Sequence, residues 1–266
     1  MKKIELIEIE HSVKIGDQCP AFEPNVTEDS LFYVDGKLIG FYLKQMPDKM
    51  CKLADVANAE FNSKRVPKEG RVGSHRNKRK SDGTLGEAKK WNAQCGRSTI
   101  IGGVPPQPHL GRPYVKNSTV HDVKSAQTFI KSMLLLAKES EALILQIMPD
   151  QYAQQMEALK DVSKKWKFGN LFTSSISNYN VSASFHKDVK NVPNTVNVII
   201  CKRLNSKGGD LHVPDYGATI GQVDNSILVY PVWRNVHGVT PIEPTHEGGY
   251  RNSLVFYPLK AFLTKD

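Results

Sequence analysis

The sequence predicts an α+β fold in which helices pack outside a closing antiparallel β-structure, with a small α/β layer at the N-terminus. Three patterns carry that reading. Residues 121–166 hold two helix-length stretches with apolar side chains three and four positions apart. Beyond Trp166 short β-runs dominate, separated by turns rich in Gly, Asn and Pro. Residues 174–188 alternate polar and apolar side chains with the period of two expected of a half-buried strand.

From the N-terminus, Leu31-Phe32-Tyr33-Val34 and Leu38-Ile39-Gly40-Phe41-Tyr42 flank Asp35-Gly36, a pair that tolerates positive φ and suits a two-residue hairpin turn. A helix is expected over residues 50–61. A Gly- and Lys-rich loop follows, and Gly102-Gly103-Val104-Pro105-Pro106-Gln107-Pro108 reads as an extended irregular connector because proline fixes φ and removes a donor. Ser118-Thr119 is placed to cap a helix over residues 121–140 that carries Phe129, Met133, Leu134 and Leu136. In a second helix Tyr152, Met156, Leu159, Val162 and Trp166 form one apolar stripe. Strands are expected over residues 195–203, 211–213, 226–232 and 250–257. The chain thus divides into an N-terminal α/β extension (1–63), a basic Gly/Pro-rich segment (64–117) and a β-rich region with its helices (118–266), together one compact domain, expected to be a monomer.

The formal net charge is +9, and residues 64–90 hold ten Lys and Arg against three acids. Such a block, centred on Arg76-Asn77-Lys78-Arg79-Lys80, favours a polyanion such as DNA or RNA; a solvated loop is the bland alternative. Cys19, Cys51, Cys95 and Cys201 lie too far apart for a structural zinc site. Acids interrupt the N-terminus where a signal peptide is apolar, and no run approaches about 18 apolar residues, so a cytoplasmic protein without a membrane partner is expected.

The chemistry concentrates in the last third. His186, Asp188 and His237 supply two imidazoles and one carboxylate, the set that holds non-haem iron(II) on one face and leaves the opposite positions open. His212 and His246 are alternatives for the second imidazole. Arg251, 14 residues after His237, begins Arg251-Asn252-Ser253. A guanidinium and a hydroxyl two residues apart suit the far carboxylate of 2-oxoglutarate. In residues 250–257 Arg251, Ser253, Val255 and Tyr257 share one side of a strand, opposite Leu254 and Phe256, and both this strand and residues 174–188 read as inner walls of a ligand-binding barrel.

Residues 172–257 resemble the TET/JBP family of iron(II)- and 2-oxoglutarate-dependent DNA dioxygenases. The matching elements are Thr173-Ser174, Asn178 with Asn180, His186-Lys187-Asp188-Val189-Lys190-Asn191, Gly208-Gly209-Asp210-Leu211, Pro214-Asp215-Tyr216, His237-Gly238-Val239-Thr240-Pro241-Ile242 and Arg251-Asn252-Ser253-Leu254-Val255-Phe256-Tyr257. The resemblance implies a double-stranded β-helix (jelly-roll) core and oxidation of the 5-methyl group of 5-methylcytosine or thymine in DNA, with iron(II), 2-oxoglutarate and dioxygen. It further implies iron on His186, Asp188 and His237, co-substrate on Arg251 and Ser253, and the target base on Asn191 and Tyr257. Asn178 and Asn180 either touch co-substrate or base or satisfy buried backbone groups.

The chain departs from the animal members of that family. Their cysteine-rich zinc module has no counterpart here, and their second base-contacting histidine corresponds to Leu259. The compact chain is more similar to phage and microbial members, with Lys78, Arg79, Lys80 and Arg97 expected to contact DNA. A hydroxylase of an amino acid or protein side chain, and a DNA-binding protein with a vestigial metal site, are the competing readings. The basic segment opposes the first and the complete triad the second.

Overall fold

The computed structural model describes residues 1–71, 96–108 and 111–263. Lys78, Arg79, Lys80 and Cys95 lie outside the described residues. Among the described ones the chain forms β1 (Lys2–Glu5), β2 (Ser30–Val34), β3 (Lys37–Leu43), α1 (Asp48–Asn62), β4 (Glu69–Arg71), β5 (Gly96–Val104), β6 (Lys116–Asn117), α2 (Gln127–Ile147) and α3 (Pro149–Ala158). The β-rich half follows with β7 (Ser174–Tyr179), β8 (Ala183–His186), β9 (Asn197–Leu204), β10 (Ser206–Gly208), β11 (Leu211–Val213), β12 (Ala218–Ile220), β13 (Ile227–Tyr230), β14 (His237–Val239), β15 (Ile242–Pro244) and β16 (Tyr250–Tyr257).

One large sheet runs β1-β2-β3-β13-β9-β16-β7-β5-β4, with β6 beside β5, and it is antiparallel except for β1 with β2. A four-stranded sheet, β12-β11-β14-β8, lies over part of it, and β10 pairs with β15. Helices α1 and α2 cover one face of the large sheet. Met50, Ala54, Phe61, Phe129, Met133 and Ile144 pack there on Ile101, Val198, Ile200, Leu254 and Phe256. On the opposite face Phe32, Tyr42, Leu228 and Tyr230 meet Leu211, Val213, Ala218 and Ile220 of the small sheet. The central strands of the large sheet alternate between these two cores, which is why their sequence shows period two. Full burial of each large apolar side chain contributes about 1.5–3 kcal/mol, so both layers stabilise the sheet between them.

The expected hairpin forms between β2 and β3, with Asp35 and Gly36 at φ 50° and 71°. The N-terminal layer is continuous with the large sheet, because β3 pairs with β13. Four expectations need correction. Strand β5, nine residues long, runs through the stretch read as the end of the basic segment and an irregular connector, held by β7 on one side and β4 on the other. Helix α2 starts at Gln127, since residues 119–126 form 3-10 turns, and Ser118 accepts from Val120 N at the first of these. The stripe expected on one helix is split: α3 ends at Ala158, and Leu159 and Val162 pack with Val192, Leu259 and Phe262 in a separate cluster, while Tyr152 and Met156 join the main core. Residues 174–188 are two strands in two sheets, because Asn180 takes a left-handed φ of 48° and the chain crosses from β7 to β8.

Candidate active site

The crossing at Asn180 brings the predicted ligands together. His186 ends β8 and stands opposite His237 of β14 in register, with ring centroids 4.4 Å apart. Asp188 follows two residues later, its Oδ1 3.7 Å from His186 Nε2. One ligand atom from each of His186, Asp188 and His237 lies within 4.8 Å of the others. His237 is 3% exposed, whereas His186 and Asp188 are partly open, so the triad is a floor with one accessible side.

Both imidazoles are held in the tautomer a metal needs. His186 Nδ1 donates to Ser184 O at 2.7 Å and His237 Nδ1 to Asn235 O at 3.1 Å, leaving each Nε2 lone pair free. Burial pushes the His237 imidazole down to about 3 and the Asp188 carboxyl upward, the latter partly offset by His186. Burial thus works against the charged form of both groups, and a divalent cation beside them favours the neutral imidazole and the charged carboxylate.

Behind His237 lies a relay that the sequence did not disclose. Asn235 Nδ2 donates to Asp215 Oδ2 at 2.6 Å, Tyr230 OH donates to Asn235 Oδ1 at 3.3 Å, and Asp215 Oδ1 meets His11 Nε2 at 2.8 Å. His11 and Asp215 are 204 positions apart in the chain, so no local pattern connects them. Gly238 answers to close packing, since a Cβ there would sit 2.8 Å from Cys19 Cβ and 3.0 Å from Phe185. His212 is not a ligand: it is stacked on Phe22 with 3.7 Å between centroids and bonded through Nδ1 to Thr219 Oγ1. His246 is exposed in a bend beside Thr245.

Arg251 sits on the face of β16 that looks between the sheets. It is 4% exposed, and its Nε finds no hydrogen-bond partner among the described residues. A buried guanidinium N–H without an acceptor is costly, and it marks a place where an anionic ligand fits. Gly209, at φ 73°, lets the chain pass directly against this side chain: a Cβ would lie 3.2 Å from Arg251 Cδ. Gly209 N is fixed by Pro241 O, and Asp210 and Thr240 bond reciprocally, so the two glycine-containing motifs form one clamp around Arg251. In the adjacent row Ser98 donates to Asn178 Oδ1 and Asn178 Nδ2 donates to Ser253 Oγ, aligned across β5, β7 and β16. Asn180 serves the backbone, its Oδ1 accepting from Arg251 N at 2.8 Å.

The remaining predicted residues are dispersed. Asn191 is 3% exposed and donates to Asn197 Oδ1 at 3.1 Å. Tyr257 continues the Arg251–Ser253 face of β16, half-buried against the cluster of Leu159 and Phe262. Arg97 is exposed and pairs in register with Tyr179, on the face of the sheet opposite Ser98 and Ser253.

The profile of Tet_JBP, the oxygenase domain of the 2OGFeDO superfamily, matches residues 107–260. The chain belongs to this family. It is an iron(II)- and 2-oxoglutarate-dependent oxygenase, and its cofactors are iron(II), 2-oxoglutarate and dioxygen. No curated protein matches the sequence. Among solved structures, NgTET1 in complex with 5mC DNA is similar at a TM-score of 0.61 and 14% identity, over 94% of this chain and 86% of that one. An oxidoreductase of the 2OG-Fe(II) oxygenase family from Burkholderia pseudomallei aligns with a TM-score of 0.42 and 13% identity over 82% of each chain. A full-length Neurospora crassa protein in complex with alpha-KG does so at 0.45 and 13%, over 83% of this chain and 75% of that one. The likeness to NgTET1 is one of fold: a mixed α/β architecture built on large sheets with few helices. Among the described residues no helix is long and apolar enough to cross a membrane.

Proposed function

We propose that this Tet_JBP oxygenase hydroxylates the 5-methyl group of a pyrimidine in DNA, 5-methylcytosine before thymine, on a jelly-roll core formed by the two facing sheets. The observation that carries the site assignment is the buried, unpartnered Arg251 Nε on the same interior as the three convergent ligands. In this reading His186, Asp188 and His237 hold iron(II), and Arg251 with Ser253 takes the distal carboxylate of 2-oxoglutarate. Bound iron, with 2-oxoglutarate and dioxygen, supplies the oxidising chemistry, yielding succinate, carbon dioxide and the hydroxylated product. The protein's own part is positional. Backbone carbonyls of Ser184 and Asn235 orient the imidazoles, Gly209 and Asn180 fix Arg251, and the open side beside His186 and Asp188 admits the substrate.

For the substrate, support comes from the family, from the net charge of +9 and from the similarity of fold to NgTET1, a protein seen with 5mC DNA. Asn191, anchored by Asn197, and Tyr257 are assigned to the extruded base. The basic residues Lys78, Arg79 and Lys80, together with Arg97, are assigned to phosphate contacts. The chain acts as one domain, its N-terminal extension packed on the catalytic region through the pairing of β3 with β13.

The deciding experiment is mass spectrometry of nucleosides from DNA containing 5-methylcytosine and thymine after incubation with protein, iron(II) and 2-oxoglutarate. Hydroxymethyl products are expected from the native protein and none from Asp188→Ala, which loses a ligand without touching either core. Succinate production that ignores DNA would turn the reading toward an amino-acid or protein hydroxylase.

A further inference from the structure

The buried polar atoms without partners do not end at Arg251. Its Cα partner on β9 is Arg203, so the two side chains leave neighbouring strands on the same face. Arg203 Nη1 donates to Gln222 O at 2.7 Å, while its Nε and Nη2 are buried and meet no acceptor among the described residues. Gln222 itself is 1% exposed, and neither its Oε1 nor its Nε2 is bonded. Cys201, opposite Ser253 in register, connects the group: its sulfur donates to Gln222 O at 3.3 Å, and burial pushes its thiol up while the Arg251 and Arg203 charges act the other way. Two guanidinium groups and a carboxamide thus share one buried region, and no carboxylate of the described residues forms an ion pair with either cation.

Buried atoms of two like-charged side chains and an amide that lack partners call for a compensating group. The orphan donors number more than one oxygen can accept, and Cys201 links them to the Arg251 pocket. We propose that Arg203 and Gln222 are co-substrate-binding residues: with Arg251 they enclose both oxygens of the distal carboxylate of 2-oxoglutarate and select a dicarboxylic over a monocarboxylic 2-oxo acid. The inference rests on the co-substrate reading of Arg251 given above. A monocarboxylic 2-oxo acid would keep the groups that approach the metal but would leave both guanidinium groups unpaired.

The test is calorimetric binding of 2-oxoglutarate and of pyruvate to the manganese(II)-loaded full chain, without turnover, for the native protein and for Arg203→Met, Gln222→Leu and Arg251→Met. Charge-assisted hydrogen bonds of this kind correspond to about 10- to 100-fold in dissociation constant. Arg203→Met and Gln222→Leu are expected to weaken 2-oxoglutarate by about that factor and leave pyruvate unchanged. Native affinity for 2-oxoglutarate in both variants, or an equal loss for the two acids, overturns the proposal. Should Arg203→Met fail to fold, Gln222→Leu and Arg203→Lys decide by the same criterion. Arg251→Met separates the two readings: intact 2-oxoglutarate binding in that variant removes the co-substrate role of Arg251, whereas its loss alongside unaffected Arg203 and Gln222 variants removes only the inference drawn here.

Discussion

Gly209→Ala tests whether the clamp around Arg251 governs co-substrate binding. At φ 73° the added methyl group meets a left-handed backbone, which costs about 1–2 kcal/mol. The new Cβ also falls 2.9 Å from Ile242 Cγ1, 3.2 Å from Arg251 Cδ and 3.3 Å from Arg251 Nε. Ile242 and Arg251 are both buried, so neither can simply swing away, and overpacking adds about 1–3 kcal/mol. Gly248 provides the control. It has almost the same φ, 74°, but nothing lies within 4 Å of its Cβ position, so Gly248→Ala should show the backbone cost alone. Denaturant unfolding is expected to separate the two variants by the overpacking contribution. Displacing the guanidinium by a few tenths of an ångström should also weaken 2-oxoglutarate by about tenfold in Gly209→Ala, a change of about 1.4 kcal/mol, and leave Gly248→Ala at native affinity. Equal destabilisation of both variants with native 2-oxoglutarate saturation in each would refute the idea that Gly209 seats Arg251.

Three other outcomes are expected. Neutralising Lys78, Arg79 and Lys80 together should weaken DNA binding and flatten its salt dependence by about 0.9 log units of slope for each phosphate interaction removed, and an unaltered slope would make the segment a bystander. Asn191→Asp should move preference toward thymine, because a carboxylate only accepts from the thymine N3–H; competition between the two substrates in one reaction reads the ratio, and a shift toward 5-methylcytosine contradicts the base contact. Burial, assisted by His11, lowers His212 from 6.5 to about 4, so the unfolded chain takes up that proton first. The resulting stability is fully present above pH 6.5 and declines as pH falls toward 4. His212→Phe should therefore show a shallower acid dependence of its denaturation midpoint over that window, and a slope identical to the native one would count against a buried neutral imidazole.

How far these features were legible depends on whether their cause is local. Strand β16 could be read residue by residue because Leu254 and Phe256 face the helices while Arg251 and Ser253 face the interior, and that division is the alternation itself. Strand β5 could not, since its glycines and the charge before it argue for a loop; Gly103 is there because Phe262 occupies the space a side chain would need, 2.3 Å from the Cβ position. Asn235 and His11 had no signal either, and Asp215 stood only inside a matching motif with nothing to tie it to them, the three being joined only once the sheets close. The most instructive case is residues 174–188, where the alternation was real but the single strand was not. Asn180, left-handed and bonded through its side chain to Arg251 N, follows the end of β7, and three residues later the chain enters the other sheet at Ala183. The parity of positions survives that crossing, so Asn178 on one wall and His186 on the other both look inward although they belong to different sheets. Period two therefore reported which side chains face the interior and was silent on which sheet carries them. That separation is what lets one short segment give the large sheet a neighbour for Ser253 and bring His186 and Asp188, two of the three proposed metal ligands, beside the small sheet.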